Sequence, residues 1–356
     1  MRIGIYDPYL DTLGGGEKYI LTAAECLSIT NQVEIFWDND TILSRAQERF
    51  NINLTQVKSS PNLFGPKENL INRIQKSREY DLIIYLSDGS IPYLLSEKVV
   101  LLLQHPMNWV NGRSLINKIK FSNIQEIICY SQFVKGYLDK NFPIPAKVIY
   151  PPIEPIGYSE SDKKNVILSV GRFTKAMNAK KQDVLIDAFK RICQRGIHNW
   201  ELLLVGSYLP EDQDFYEEMQ RLAQGYPIRI IGNAPYSDLM HYYKQAKVYW
   251  HAAGFSEDLQ HYPERSEHFG ITTVEAMSAG AVPIVINAGG QREIVINGTS
   301  GYVWDTTAVL ESKTMEIMAN DQVRIAFATN ASKRAQSFGI DQFTKAITSL
   351  ASNPVT

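Results

Sequence analysis

Two carboxylates stand eight positions apart in SEHFGITTVEAMSAGAVPIV (residues 266–285): Glu267 and Glu275, on either side of Phe269, Gly270, Ile271, Thr272 and Thr273. A carboxylate accepts hydrogen bonds from sugar hydroxyls. Backbone amides that open a helix suit phosphate, because the first N–H groups have no partner within the helix and the dipole there is positive. A fully helical segment would span about 12 Å at 1.5 Å per residue. Gly270 favours a break instead, with Glu267 on a loop and Glu275 one turn inside the helix. Either arrangement separates the carboxylates by roughly a diphosphate with a sugar at one side and a ribose at the other. Taken alone, the same spacing also fits a solvated loop glutamate followed by an ordinary helix-surface glutamate.

Other residues carry weaker signals. Gly14, Gly15 and Gly16 follow the apolar run RIGIY and precede a helical pattern that begins at Glu17. Such a turn lets backbone amides approach a ligand closely. Asp38 stands where a ribose-binding acid of a dinucleotide fold would stand, but GxGxxG is not satisfied, since residue 19 is Tyr. WDND (37–40) has the DxD spacing of a metal-binding pair. Two sequential βα domains argue for turn and helix N-cap roles for Asp38 and Asp40 instead. His105 closes the apolar run of LLLQHPMNW, and His251 closes that of YWHAAGF. Arg113, Lys118, Lys120 and Phe121 could form a small basic and apolar patch for a lipid-linked acceptor, with a solvated helix face as the plainer reading.

The elements that must position these residues alternate regularly. Short apolar runs recur at RIGIY (2–6), VEIFW (33–37), DLIIYL (81–86), VVLLLQ (99–104), EIICY (126–130) and KVIY (147–150). Most are followed by helical periodicity, as in EKYILTAAECLS (17–28) and QFVKGYLDKNF (132–142), so the pattern is βα repetition around a parallel sheet. A second series follows YPPIEPIGYSESDKK (150–164), with strands expected at NVILSV, WELLLV, IRIIG, KVYWH and VPIVI. The expected class is therefore α/β, with two doubly wound, Rossmann-like parallel-sheet domains. Their expected bounds are residues 1–150 and 151–335, followed by a helical tail over residues 336–356. In open α/β sheets ligands bind beyond the carboxyl ends of the strands, and the residues singled out above lie there.

Composition narrows the rest. The chain has 356 residues, 44% hydrophobic and 21% charged, with formal net charge −2, so no global charge points to nucleic acid or membrane. Cys26, Cys129 and Cys193 show neither disulfide nor zinc spacing and read as buried thiols of a reducing cytoplasm. No apolar stretch reaches membrane-spanning length, and the N-terminal residues lack the layout of a signal peptide.

The arrangement ExFGxxxxEAMxxGxxPIV, here Glu267, Phe269, Gly270, Glu275, Ala276, Met277, Gly280 and Pro283, closely resembles the nucleotide-sugar signature of the family 4 retaining glycosyltransferases. The resemblance spans nearly the whole chain, most specifically residues 165–304. It implies the GT-B fold, two Rossmann-like domains facing across a cleft, with the final helix crossing back to the first domain. It also implies that Glu267 faces the donor sugar and that Glu275 holds the ribose. SVGRF (169–173) and KKQDVLIDAF (180–189) match the family's diphosphate grip, which assigns Arg172 to it and Lys180 with it, with Lys181 as the fallback because TKAMNA (174–179) is inserted. His105 corresponds to a donor-sugar contact. Gly15, Gly16, Gly171, His268, Phe269, Gly270, Ile271 and Thr272 correspond to donor-binding positions, and NAGGQREIV (287–295) to a loop beside the same pocket.

The resemblance implies a metal-independent, retaining hexosyltransferase with no cofactor, the nucleotide sugar being a substrate. A UDP-sugar such as UDP-glucose or UDP-glucuronate is favoured as donor, with GDP-mannose as the competitor. The acceptor would be a saccharide or lipid-linked saccharide in polysaccharide or glycolipid synthesis, reached in the cytoplasm or peripherally at the inner membrane face. A nucleotide-sugar epimerase and a non-catalytic sugar-nucleotide binder are the readings of other classes.

Overall fold

A computed structural model describes residues 1–66, 68–175 and 179–352. The chain divides into two compact units, Met1–Pro152 together with the residues from Ile340 onward, and Ile153–Gly339. Of the inserted TKAMNA segment, residues 176–178 lie outside the described residues, as do residues 353–356 of the tail.

Among the described residues the first unit holds seven strands: β1 (Arg2–Tyr6), β2 (Gln32–Phe36), β3 (Val57–Ser60), β4 (Leu82–Leu86), β5 (Lys98–Leu103), β6 (Glu126–Cys129) and β7 (Ala146–Val148). They form one parallel sheet in the order β3-β2-β1-β4-β5-β6-β7. The five residues of β4, LIIYL, are all buried, as expected of a parallel strand covered by helices on both faces. Helix Gly15–Ser28 follows β1 and is joined by the tail helix Ile340–Thr348. The Phe343 ring meets Tyr19 edge-on at 5.0 Å, and Cys26 Sγ lies 3.3 Å from Thr344 Oγ1. Tyr19, the residue that breaks the dinucleotide pattern, is buried, with its hydroxyl donating to the Ile149 carbonyl.

Among the described residues the second unit holds six strands: β8 (Lys164–Val170), β9 (Glu201–Gly206), β10 (Ile228–Gly232), β11 (Ala246–His251), β12 (Val282–Ile286) and β13 (Tyr302–Trp304). Their order is β10-β9-β8-β11-β12-β13, again parallel throughout. The core is built on Phe189, Leu202, Trp250, Ile284 and Trp304, all buried. Both sheets reverse their strand order once, between β1 and β4 and between β8 and β11, and each reversal opens a crevice at the carboxyl ends of the flanking strands. Two Rossmann-like parallel sheets are what the expected GT-B class requires. Strands β3 and β13 were not among the expected runs: VKSS is an edge strand with one buried residue, and YVW has only three residues. No helix among the described residues is long and apolar enough to cross a membrane.

Candidate functional site

Strands β8 and β11 lie side by side at the reversal point of the second sheet, so the residues just beyond them are brought together. Gly171 and Arg172 follow β8, and His251 ends β11. Two further segments converge there: Lys180, ahead of helix Gln182–Gln194, and the turn 267–270 that opens helix Ile271–Ser278.

At the centre is Glu267. Its Oε2 accepts from Lys180 Nζ at 2.7 Å and lies 2.9 Å from His251 Nε2. Burial works to raise the Glu267 pKa, but the Lys180 charge and the His251 hydrogen bond outweigh it and hold the carboxyl well below its usual range. Burial lowers the pKa of His251 despite the neighbouring carboxylate, so its imidazole is neutral at pH 7. A carboxylate can only accept, so Nε2 carries the proton. Nδ1 is buried without a hydrogen-bond partner.

Gly171 makes room for the lysine: a Cβ there would lie 2.5 Å from Lys180 Cγ. Gln182, buried at the start of its helix, donates from Nε2 to the carbonyls of Arg172 (2.9 Å) and Gly171 (3.3 Å), fixing the loop's backbone. The Arg172 side chain is exposed on that loop and forms no ion pair among the described residues. Lys181 has left-handed backbone (φ +57°) and is directed elsewhere: its Nζ meets Glu257 at 2.5 Å, and Arg265 meets the same carboxylate at 3.0 Å. These three line a separate hollow of about 410 Å³.

The glutamate turn is held from several sides. Gly270, at φ +120°, caps helix Ile271–Ser278. Its carbonyl takes the N–H groups of Thr273 and Val274. The amides of Ile271 and Thr272 are left with no acceptor among the described residues, at the positive end of the helix. Phe269 is buried against Phe338 with ring centroids 5.4 Å apart, so its side chain anchors the turn. The His268 ring lies 3.1 Å from the Glu264 carbonyl. Glu275 sits five residues into the helix, where Tyr243 donates to its Oε2 at 2.7 Å; Tyr249 donates to Thr272 Oγ1 at 2.7 Å. Gly289 and Gly290 let the next loop close on this backbone: Gly290 N–H donates to the Glu267 carbonyl, and a Cβ on Gly289 would fall 2.2 Å from that oxygen. Gln291 is buried beneath the turn with its amide unpartnered.

The remaining candidates belong to the first unit. His105 follows β5, half-buried, and burial lowers its pKa. In the glycine turn, the buried Glu17 carboxylate accepts from the Gly14 amide (2.6 Å) and from Thr12 Oγ1 (2.8 Å). Gly15 is exposed, whereas Gly16 faces Gln104, whose Oε1 would lie 2.8 Å from an added Cβ. Asp38 serves a turn, accepting from the Asn62 amide, but Asp40 makes no side-chain cap, contrary to expectation. Asn39 accepts from Thr41 N–H and Oγ1 instead. Among the described residues no group of three His, Cys, Asp or Glu could hold a metal ion.

Sequence reasoning placed His251 at a strand end as a candidate to line the cleft, with no partner named, and left out Gln182 and Gln291. The signal for His251 was its position as the last residue of a strand; Gln182 and Gln291 carried no local signal.

Two parallel sheets with this carboxylate, lysine and helix-start arrangement define a class, and the chain belongs to the glycosyl transferases group 1 family, whose model matches residues 155–334. Among relatives, an uncharacterized glycosyltransferase of Methanocaldococcus jannaschii is 28% identical over 256 residues, covering 70% of this chain and 65% of its own length. The alpha-1,3/1,6-mannosyltransferase ALG2 of Rhizomucor pusillus is 28% identical over 209 residues, covering 49% and 45%. The chain thus spans less than two thirds of the length of these curated relatives. Among solved structures, Anabaena HepE in complex with UDP and glucose superposes with TM-score 0.72 at 21% identity, over 99% of each chain. WaaG, a glycosyltransferase involved in lipopolysaccharide biosynthesis, superposes with TM-score 0.65 at 14% identity, over 99% of this chain and all of its own.

Proposed function

We propose that this chain is a hexosyltransferase that takes its sugar from a nucleoside diphosphate, with UDP-glucose or a related UDP-sugar such as UDP-glucuronate as donor. The observation that carries the reading is the Glu267 carboxylate, kept ionised by Lys180 and His251 beside a helix start with two unengaged amides. In this reading the amides of Ile271 and Thr272, the exposed Arg172 and Lys180 receive the diphosphate, and Glu275 the ribose hydroxyls. Glu267 then accepts hydrogen bonds from the sugar.

Charge develops on the departing nucleotide as the glycosidic bond breaks. A charged hydrogen bond contributes about 1.5–3 kcal/mol, so these two cationic and two amide donors, in place before reaction, lower the barrier substantially. No side chain stands out as a dedicated nucleophile, which fits same-face attack by the acceptor hydroxyl with retention. The reading uses neither metal nor cofactor. The acceptor is a saccharide or a lipid-linked saccharide, met in the cytoplasm or peripherally at the inner membrane face. His105 carries a proposed role of its own as a donor-sugar contact.

The relative named a mannosyltransferase favours mannose as the transferred sugar and so keeps GDP-mannose as the second donor to test, whereas the superposing structure that holds UDP and glucose favours the first. Incubation with UDP- and GDP-sugars and a panel of free and lipid-linked saccharides, with the anomer of the product determined, separates them. Transfer from GDP-mannose alone would overturn the UDP assignment. Donor binding with no transfer or hydrolysis under any acceptor would leave a binding protein, and an altered sugar nucleotide without acceptor an epimerase.

A further inference from the structure

We infer that the first unit docks on an anionic lipid bilayer through helix Leu115–Phe121 and Trp109. This helix carries its apolar residues on the wrong side for a core element: Leu115, Ile116 and Ile119 are 80%, 70% and 66% exposed, and Phe121 alone of the four is buried. At about 100° per residue, Leu115, Ile119 and Ile116 occupy one arc of the helix. Lys118 borders that arc on one side and Lys120 on the other. Asn117 and Phe121 face the opposite way, toward the sheet. An outward apolar stripe with a lysine on each flank is the layout of a helix lying in a membrane interface, where lysine stems follow the apolar surface and their ammonium groups reach lipid phosphates.

Charge decides between a bilayer and a protein as the occupant. From Lys98 to Gln125 the chain contains no Asp or Glu, although its overall net charge is −2. Lys118 and Lys120 form no ion pair among the described residues, and Arg113, at the start of the same segment, donates only to the carbonyls of Asp139 and Lys140. Trp109, in the loop before the helix, is 59% exposed, and tryptophan favours the headgroup level of a bilayer.

A second helix extends the patch. Leu70–Ser77 begins LINRI where the first begins LINKI, and it exposes Leu70 and Ile71 by 59% and 70%. Both helices follow crossovers that run in the same direction along the sheet, so right-handed connections put them on one face. Their ends are tied to one segment: Leu95 N–H donates to Ser77 Oγ, and Asn123 Nδ2 donates to the Leu94 carbonyl, each at 2.9 Å. Each first turn lies toward the carboxyl ends of the strands, the edge of an open α/β sheet at which ligands bind. Docking there would bring that edge to the bilayer surface, where a lipid-linked acceptor resides. This last step rests on the proposed function; the docking does not.

The test is co-sedimentation of the full chain with vesicles of phosphatidylcholine, with and without a minority of phosphatidylglycerol. The expected result is binding to the anionic vesicles only, weakened as salt rises to about 0.15 M, where the screening length is ~8 Å. Leu115→Ser/Ile116→Ser/Ile119→Ser lowers the bound fraction by about tenfold, and Lys118→Glu/Lys120→Glu abolishes the preference for anionic lipid. The serine variant changes exposed side chains, the glutamate variant the exposed Lys118 and the half-buried Lys120, and both retain the thermal shift given by UDP or GDP. Failure to bind anionic vesicles, equal binding by the variants, or a dimer in light scattering that the serine variant dissolves would overturn the inference. The last result would assign the patch to a second copy. Vesicle binding is read without turnover, so its failure is distinguishable from failure of the transferase reading.

Discussion

Gly171→Ala tests the site through a residue that has no functional group. Gly171 does not have left-handed backbone, so alanine is conformationally acceptable there. The added Cβ would lie 2.5 Å from Lys180 Cγ and 3.1 Å from its Cδ. Carbon atoms rest at about 3.5–4.0 Å, so the lysine stem must withdraw by roughly 1 Å. Its ammonium holds Glu267 at 2.7 Å, a separation with no slack to absorb such a shift. A misplacement of about 1 Å in a catalytic constellation costs around 10²-fold in rate, equivalent to about 2.7 kcal/mol of barrier at 1.36 kcal/mol per tenfold. Overpacking itself destabilises by about 1–3 kcal/mol, so the variant is expected to fold with a lowered Tm. The assay is kcat/KM for sugar transfer by Gly171→Ala, Lys180→Met and the double variant. Because the glycine acts through the lysine, the double variant should lose little more than Lys180→Met alone. Full activity of Gly171→Ala, or losses that simply add, would refute the argument.

Further outcomes follow from the same site and from one buried carboxyl of the first unit. Lys180→Ala should weaken nucleotide binding measured by calorimetry far more than Lys181→Ala, since Lys181 is committed to Glu257; equal losses would place the wrong lysine at the site. Glu267→Gln should lower kcat by about 10²–10³. In its folded environment the Glu267 pKa lies below the ordinary 4.5, so its contribution to stability is present above that pH and disappears as pH falls through the folded value. Thermal melts of Glu267→Gln should therefore lose part of the acid dependence seen in the parent, and parallel curves would count against the ion pair. Asp7 behaves oppositely: buried at the end of β1 with Oδ2 unpartnered, its carboxyl is pushed up from 3.8 to about 7 by burial. The unfolded chain releases that proton first, so stability is full below about 3.8 and falls as pH rises toward 7. Asp7→Asn keeps the 2.8 Å acceptor for the Tyr9 amide and should raise Tm by several degrees at pH 8 while changing it little at pH 4.

Much of the fold was legible because each strand of a doubly wound sheet is an apolar run that announces itself locally. DLIIYL and VPIVI could belong to nothing but covered strands once helices were seen between them. The two that escaped, β3 and β13, are short edge strands: VKSS has one buried residue and no apolar run, and YVW is only three residues long although Tyr302 and Trp304 are both buried. Within the turn, Gly270 was a readable break, and the structure has Glu267 before the helix and Glu275 inside it.

By itself the amino-acid order determined the class of fold, the loops on which chemistry could sit, and the paired glutamates about a helix start. All of these depend on neighbours within one or two turns or one strand. Tertiary structure alone decided which side chains meet. Of the pair KK the family resemblance prefers Lys180 and keeps Lys181 as the fallback; in the structure the left-handed backbone at Lys181 turns that side chain to Glu257 and leaves Lys180 to cross Gly171 and reach Glu267, 87 residues away. His251 reaches the same carboxylate only because β11 lies beside β8 and not beside β10, which precedes it in the chain. Local periodicity reports how much of a face is buried; the order of strands across the sheet decides what that face is buried against.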